Sequence, residues 1–293
     1  MMPTWRSTIR SVARATFPGV LLTLATQTWA DSEPDILNPG PQMPTYPTNT
    51  GTLPQGRAYL EVTPFSYEGS TGEDAGKYYT GFMAHVGATD NLELRVYGSG
   101  WTWSEGREDR TSFAPLSFSA VVGFWGEQDD TPWLPAFAVE AFVNTEWLGN
   151  SATNSGTHPG VQFAFSKDLP FDTNLNISLG PVRSQQSAEI NGATVSREHW
   201  DFLFQWALQK ELIYNSLSIF AHGFHNGTAA VSVPAEGMSS NGAPALYGVG
   251  KTVIGGGLIW TVNDRFSVFG QVSAGTNKDS PSMISWTGVA VAL

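Results

Sequence analysis

Between Leu116 and Trp206 the chain repeatedly writes ten-residue runs in which every second residue is apolar and the residues between are small or polar. Leu116, Phe118, Ala120, Val122 and Phe124 share one parity, and Ser117, Ser119, Val121, Gly123 and Trp125 share the other. Trp200, Phe202, Phe204, Trp206 and Leu208 repeat the pattern opposite His199, Asp201, Leu203, Gln205 and Ala207. Because strand side chains alternate faces, each run makes a ribbon with one greasy and one mixed face. A soluble sandwich would bury the greasy face, whereas a transmembrane barrel would turn it to lipid. Applied to the whole chain, the same rule predicts twelve strands, near 57–67, 77–88, 92–104, 115–126, 135–148, 159–168, 173–186, 198–209, 213–224, 246–261, 265–275 and 283–293.

The connections between these strands fall into two classes. Thr89-Asp90-Asn91, Leu169 to Asp172, Lys210 to Leu212 and Val262 to Asp264 are short, and Glu127 to Leu134 is somewhat longer. Glu68 to Gly76, Glu105 to Ala114, Gly149 to Pro159, Ser187 to Arg197 and His225 to Ala245 are longer and more polar. Short periplasmic turns opposite long extracellular loops are the arrangement of an outer-membrane barrel, and an even strand count leaves both ends in the periplasm. The predicted fold class is therefore all-β: an antiparallel, up-and-down transmembrane β-barrel.

The amino-terminal region supports that choice over a sandwich. Arg6, Arg10 and Arg14 precede the short apolar stretch Phe17 to Ala25, and Thr28-Trp29-Ala30 precedes Asp31, so residues 1–30 read as a secretory signal peptide. That stretch is too short to span a bilayer, and no other run approaches the ~20 apolar residues of a helical span. Membrane embedding must then be by strands. Residues 31–56, with Pro34, Pro39, Pro41, Pro44, Pro47 and Pro54, resist regular structure and are expected to form a periplasmic lead-in or partial plug before a barrel over 57–293.

Charge and composition narrow the function. Without the leader's three arginines, 12 Lys and Arg face 26 Asp and Glu, a net charge of −14. Nucleic acid is an unsuitable partner, because binding it needs a basic stripe. The absence of cysteine removes disulfide frameworks, zinc-thiolate sites and cysteine nucleophiles. Among eleven tryptophans, Trp101, Trp103, Trp125, Trp133, Trp147, Trp200, Trp260 and Trp286 mostly fall near strand ends, where an aromatic girdle would sit.

Leu53-Pro54-Gln55-Gly56-Arg57, followed by Leu60-Glu61 and Tyr67-Glu68, resembles the opening of the outer-membrane transporter family labelled "MetA pathway of phenol degradation". Gly87-Ala88-Thr89-Asp90-Asn91-Leu92-Glu93-Leu94-Arg95 resembles that family's turn and third strand. The likeness is strongest from Asn38 to about Tyr97, and beyond it only the rhythm of strands and loops continues. It implies a Gram-negative outer-membrane barrel that moves aromatic or other small organic compounds. One departure is the end of the chain, Val291-Ala292-Leu293, where such barrels usually carry an aromatic residue; Val289, Val291 and Leu293 nevertheless keep an apolar face.

Parity assigns the candidate chemistry. With Leu92, Leu94 and Val96 toward lipid, Glu93, Arg95 and Tyr97 face the lumen; with Phe137, Val139, Ala141 and Val143 outward, so do Glu140, Asn144 and Glu146. Tyr59, Glu61, His199, Asp201, Gln205 and Lys251 complete the expected lumen lining. An Arg or Lys on the lipid face would cost ~2–4 kcal/mol near the midplane, which drives such groups inward. Inside, the excess of carboxylates either sets selectivity for cationic or polar solutes, or pairs across strands and braces the wall. A twelve-stranded lumen is intermediate in width between a side-chain-filled barrel and an aqueous porin.

Catalysis has weaker support. None of His85, His158, His199, His222 and His225 stands in a His-x-Ser arrangement, although His199 and Asp201 share one strand face. His222 and His225 lack the further ligands a metal site needs. Gly255-Gly256-Gly257 has no following Lys-Ser/Thr and reads as a bend or close approach in the wall. The expected function is an outer-membrane channel or passive uptake porin for small organic solutes, needing no cofactor and no metal. Its expected partners are outer-membrane lipid, the solute and the barrel-assembly machinery. A barrel hydrolase and a structural or adhesive outer-membrane protein remain the alternatives.

Overall fold

The computed structural model describes residues 34–69, 76–104, 110–128, 130–145, 147, 149, 157–190, 193–232 and 245–293. The predicted signal peptide and Glu146 lie outside them. The described residues form β1 (Ala58–Glu68), β2 (Lys77–Thr89), β3 (Leu92–Gly98), β4 (Trp101–Ser104), β5 (Arg110–Phe113), β6 (Ser117–Trp125), β7 (Ala136–Asn144), β8 (His158–Leu169), β9 (Thr173–Ile190), β10 (Ala193–Ile213), β11 (Leu217–Ser232), β12 (Ala245–Asn263), β13 (Phe266–Gly275) and β14 (Ile284–Ala292). All pairings are antiparallel, most of them between chain neighbours, and β1 pairs with both β2 and β14, which closes the ring. β3 and β4 both pair with β2, and their partners β6 and β5 are interrupted at the matching level. Each interrupted pair is one wall segment, so the barrel has twelve spans. Closing the ring along β1 and β14 gives the backbone groups of that seam partners without water.

The alternation sorts residues as the pattern predicts. In β3, Glu93 and Arg95 are buried while Leu94 is exposed, and in β7, Glu140 is buried while Ala141 is exposed. The outer surface carries Phe124, Phe163, Phe202, Leu208, Ile219, Ile254, Leu258 and Val272 as exposed apolar side chains. Trp101, Trp125, Trp200 and Trp260 are also exposed, as the girdle requires. Trp286 is the correction: it is partly buried and packs inside, its ring centroid 5.6 Å from that of Tyr46, because an interior aromatic cluster takes it up.

A second correction concerns the loops. Most of Ser187 to Arg197, and the first part of His225 to Ala245, are strand rather than loop. At ~3.3 Å per residue, the 21 residues of β10 are about twice the length a tilted strand needs to cross a ~25 Å apolar band. Outside that band both faces of a paired hairpin can be polar, so the apolar alternation fades while the ladder continues. The short turns, at Asp90-Asn91, Leu169 to Asp172, Tyr214 to Ser216 and Asp264-Arg265, lie together at the opposite end.

The ring is not empty. Residues 34–56 enter beside the short turn at Asp264, whose carbonyl accepts the Ile36 N–H at 2.7 Å. They rise to a tip near Met43 to Thr48 and return to the turn at Asp90, which binds Thr52 and Gln55, before Arg57 leads into β1. Five prolines between Pro39 and Pro54 donate no N–H, which rules out helix or ladder and reduces the number of donors that need partners. The loop also ties itself together: Gln42 Nε2 donates to the Pro47 carbonyl at 2.7 Å, and the Asn49 N–H donates to Gln42 Oε1 at 2.8 Å.

Candidate functional site

Inside the barrel the donors left on that loop must find acceptors, since an unpaired buried N–H costs roughly as much as a lost hydrogen bond. Lumen carboxylates supply them. The N–H groups of Gln42 and Met43 donate to Glu61 Oε1 at 2.7 Å and Oε2 at 2.9 Å. The Leu53 N–H donates to Glu93 Oε2 at 2.8 Å, and the Thr48 hydroxyl donates to Glu140 Oε2. Thr48 N–H also reaches Ser178 Oγ at 3.4 Å. The Tyr59 hydroxyl donates to the carbonyls of Asp35 and Asn38.

The same carboxylates also meet nitrogen donors of the wall. His85 Nε2 lies 2.9 Å from Glu61 Oε1, and His85 Nδ1 lies 2.9 Å from Glu93 Oε1. Arg95 Nε donates to Glu93 Oε1 at 2.6 Å, and Arg95 Nη1 lies 3.6 Å from Glu140 Oε1. An ionised carboxylate can only accept, so the doubly protonated imidazole satisfies both of its neighbours. The result is one buried line, Glu61–His85–Glu93–Arg95–Glu140, crossing β1, β2, β3 and β7. Charge-assisted bonds of this kind contribute about 1.5–3 kcal/mol each. The carboxylates thus pair with neighbours across strands, and the same groups grip the inner loop.

A second contact lies on β11, β13 and β14. Tyr46 stacks on His222 with centroids 4.2 Å apart and meets Phe224 and Trp286 edge-on at 4.9 and 5.6 Å. Its hydroxyl donates to Ser273 Oγ at 3.2 Å. His222 is fully buried, with Nε2 between Gln271 Oε1 at 3.2 Å and Ser273 Oγ at 3.0 Å. Burial pushes the Tyr46 hydroxyl well above its ordinary range, so it stays a neutral phenol.

Above the loop tip lies a cavity of about 460 Å³, whose lining includes Met43, Tyr79, Tyr97, Ser117, Asn144 and His158. Asn144 Oδ1 accepts the Ser117 hydroxyl at 2.7 Å. Of the remaining expected lining residues, Asp201 is buried, Gln205 accepts the Ser178 hydroxyl at 3.0 Å, and Lys251 is half-buried beside Val253 on the inward parity. The side chain of His199 lies outside the described residues. His85, Tyr46 and His222 are central here and were not singled out for the lumen from sequence. For His85 a signal existed: it alternates with Gly81 and Gly87 on the buried parity of β2.

Gly87 marks the tightest approach of wall and loop. A Cβ built there would lie 2.1 Å from the Pro54 carbonyl oxygen and 2.3 Å from that of Leu53. Gly87→Val is expected to destabilise the barrel by about 1–3 kcal/mol through overpacking. It should also expose residues 52–56 to protease; an unchanged unfolding midpoint and cleavage pattern would show that the loop does not press on β2.

No family model and no curated protein sequence matches the chain. Among solved structures, an outer-membrane channel from Pseudomonas putida F1 is similar with a TM-score of 0.58 at 10% identity, over 85% of this chain and 99% of that one. The NanC porin is similar with a TM-score of 0.51 at 8% identity, over 81% of this chain and all of the porin. The fold is that of outer-membrane β-barrels.

Proposed function

We propose that this protein is an outer-membrane channel for small organic solutes, closed at rest by the loop of residues 34–56. The observation that carries the reading is a closed twelve-span barrel, apolar outside, whose interior loop is bound by wall carboxylates through its backbone. Such a loop is held in place without being part of the wall, so it can leave while the barrel stays intact. The cavity over its tip, with phenol, amide and imidazole groups, suits a compact solute that combines an apolar body with hydrogen-bonding groups. The resemblance to the phenol-degradation transporter family and the likeness to two channels support this reading. Residues 1–30 serve as the export signal, and the barrel resides in the outer membrane of a Gram-negative cell. We read the protein as a channel and not as an enzyme.

Liposome flux tests the proposal. Vesicles carrying the chain without residues 1–30 should stay near the protein-free rate, whereas those carrying the chain without residues 1–55 should admit small sugars faster, with a rate falling as solute size increases. Rates equal to those of protein-free vesicles from the shortened chain, shown to be folded, would rule out the channel.

A further inference from the structure

Of the loop's contacts, only one resembles a ligand in a pocket. Glu61 and Glu93 bind backbone N–H groups, which a free solute cannot easily imitate in sequence and spacing. Tyr46 is held by its side chain alone: one face on His222, edges against Phe224 and Trp286, and the hydroxyl on Ser273 Oγ at 3.2 Å. Those four partners belong to the wall, on β11, β13 and β14, and would remain if the loop left. The pocket is a built one. His222 is fully buried and fixed by Gln271 and Ser273, and Ser273, 2% exposed, donates to Gln271 Oε1 at 2.5 Å. Stacked and edge-on rings are attractive geometries beyond simple burial, and the hydroxyl contact selects a ring that carries a polar substituent.

We infer that the His222–Phe224–Ser273–Trp286 pocket is a binding site for a neutral, hydroxyl-bearing aromatic solute, and that Tyr46 is its resident competitor. A solute that takes the pocket removes the Tyr46 anchor of the loop tip on that wall and favours release of the tip. This rests on the reading of residues 34–56 as a plug and adds to it what the channel recognises and how it opens. A ligand shifts such an equilibrium only by its preference for the released state, and occupancy of a pocket that Tyr46 fills at rest supplies that preference. Met43, three residues from Tyr46, is part of the lining of the outer cavity, so an arriving solute meets the loop tip next to the anchor.

The probe is 4-methylphenol, the tyrosine side chain detached from its backbone, with cyclohexanol as the non-aromatic control. The chain has no cysteine, so Thr50→Cys, at a half-buried loop position that makes none of the seat contacts above, reports loop release through labelling by a membrane-impermeant maleimide in liposomes. Labelling should be slow at rest and should accelerate severalfold, saturably, with 4-methylphenol but not with cyclohexanol. Tyr46→Ala in the same background should label rapidly without ligand. Tyr46→Ala alone should gain thermal stability from 4-methylphenol as the vacated pocket fills, and Ser273→Ala should weaken that gain. Slow labelling that 4-methylphenol leaves unchanged, together with no stabilisation of Tyr46→Ala, would overturn this inference while leaving the plug in place. Immediate labelling of the Thr50→Cys parent would overturn both. Neither readout is a flux, so a barrel that passes no solute would sink the channel reading without deciding the pocket.

Discussion

Deleting residues 34–55 from the exported chain is expected to raise its single-channel conductance by about an order of magnitude, because a twelve-strand lumen is wide enough to conduct once emptied. The open pore should prefer cations. Glu61, Glu93 and Glu140 now spend oxygens on the loop, and removal of the loop turns those oxygens toward water and passing ions. Fields focused by a low-dielectric wall raise the local concentration of the opposite charge, and three carboxylates outnumber Arg95 and His85. Planar-bilayer recordings with a salt gradient check both claims. A deletion variant with the parent's conductance, or with an anion-selective reversal potential, would contradict the assignment of the loop as plug and of the carboxylates as its seat.

Glu93→Gln should be the most damaging conservative substitution in the barrel. Glu93 is fully buried, and its two oxygens accept from Arg95, His85 and the Leu53 N–H. A glutamine offers one acceptor oxygen and sets an NH₂ group against at least one donor. It also leaves Arg95 with Glu140 at 3.6 Å as its carboxylate. Breaking one side of a buried ion pair costs about 3–5 kcal/mol, because the remaining charge stays desolvated. Denaturant unfolding of the refolded barrel should therefore shift by roughly that amount, and the 52–56 leg of the loop should become protease-sensitive. A shift within the ±0.5 kcal/mol usual for surface sites would mean that the line of charges does not hold the interior together.

The strands were legible because lipid and lumen impose opposite demands on adjacent residues. Leu92-Glu93-Leu94-Arg95 states that demand in four letters, and the structure buries Glu93 and Arg95 as the alternation requires. The turn at Asp90-Asn91 and the strand limits on either side followed from the same pattern. Where the demand stops, so did the reading: residues 187–190 and 193–197 extend β9 and β10 beyond the apolar band, and no alternation marks them. Trp286 was assigned to the girdle because a tryptophan at a strand end has two destinations, interface or interior, and only Tyr46 in place decides between them.

The seat of the loop was hidden for a different reason. The inward direction of Glu61, Glu93 and Glu140 could be read, but their partners are the backbone N–H groups of Gln42, Met43 and Leu53 together with one threonine hydroxyl. Every residue except proline carries an N–H, so no residue type announces that contact. The prolines of residues 34–56 said only that regular structure would fail there, which fits a loop outside the barrel as well as one inside.

A disulfide between Thr48→Cys and Ser178→Cys tests the central claim most directly, since the Thr48 N–H lies 3.4 Å from Ser178 Oγ across the gap between loop and wall. In intact membranes the pair should oxidise within a single chain and hold the conductance at its resting level under conditions that otherwise release the loop, with thiol reduction restoring opening. Two thiols that stay free under oxidant and label independently would contradict the account, because the loop would then not be seated in the barrel.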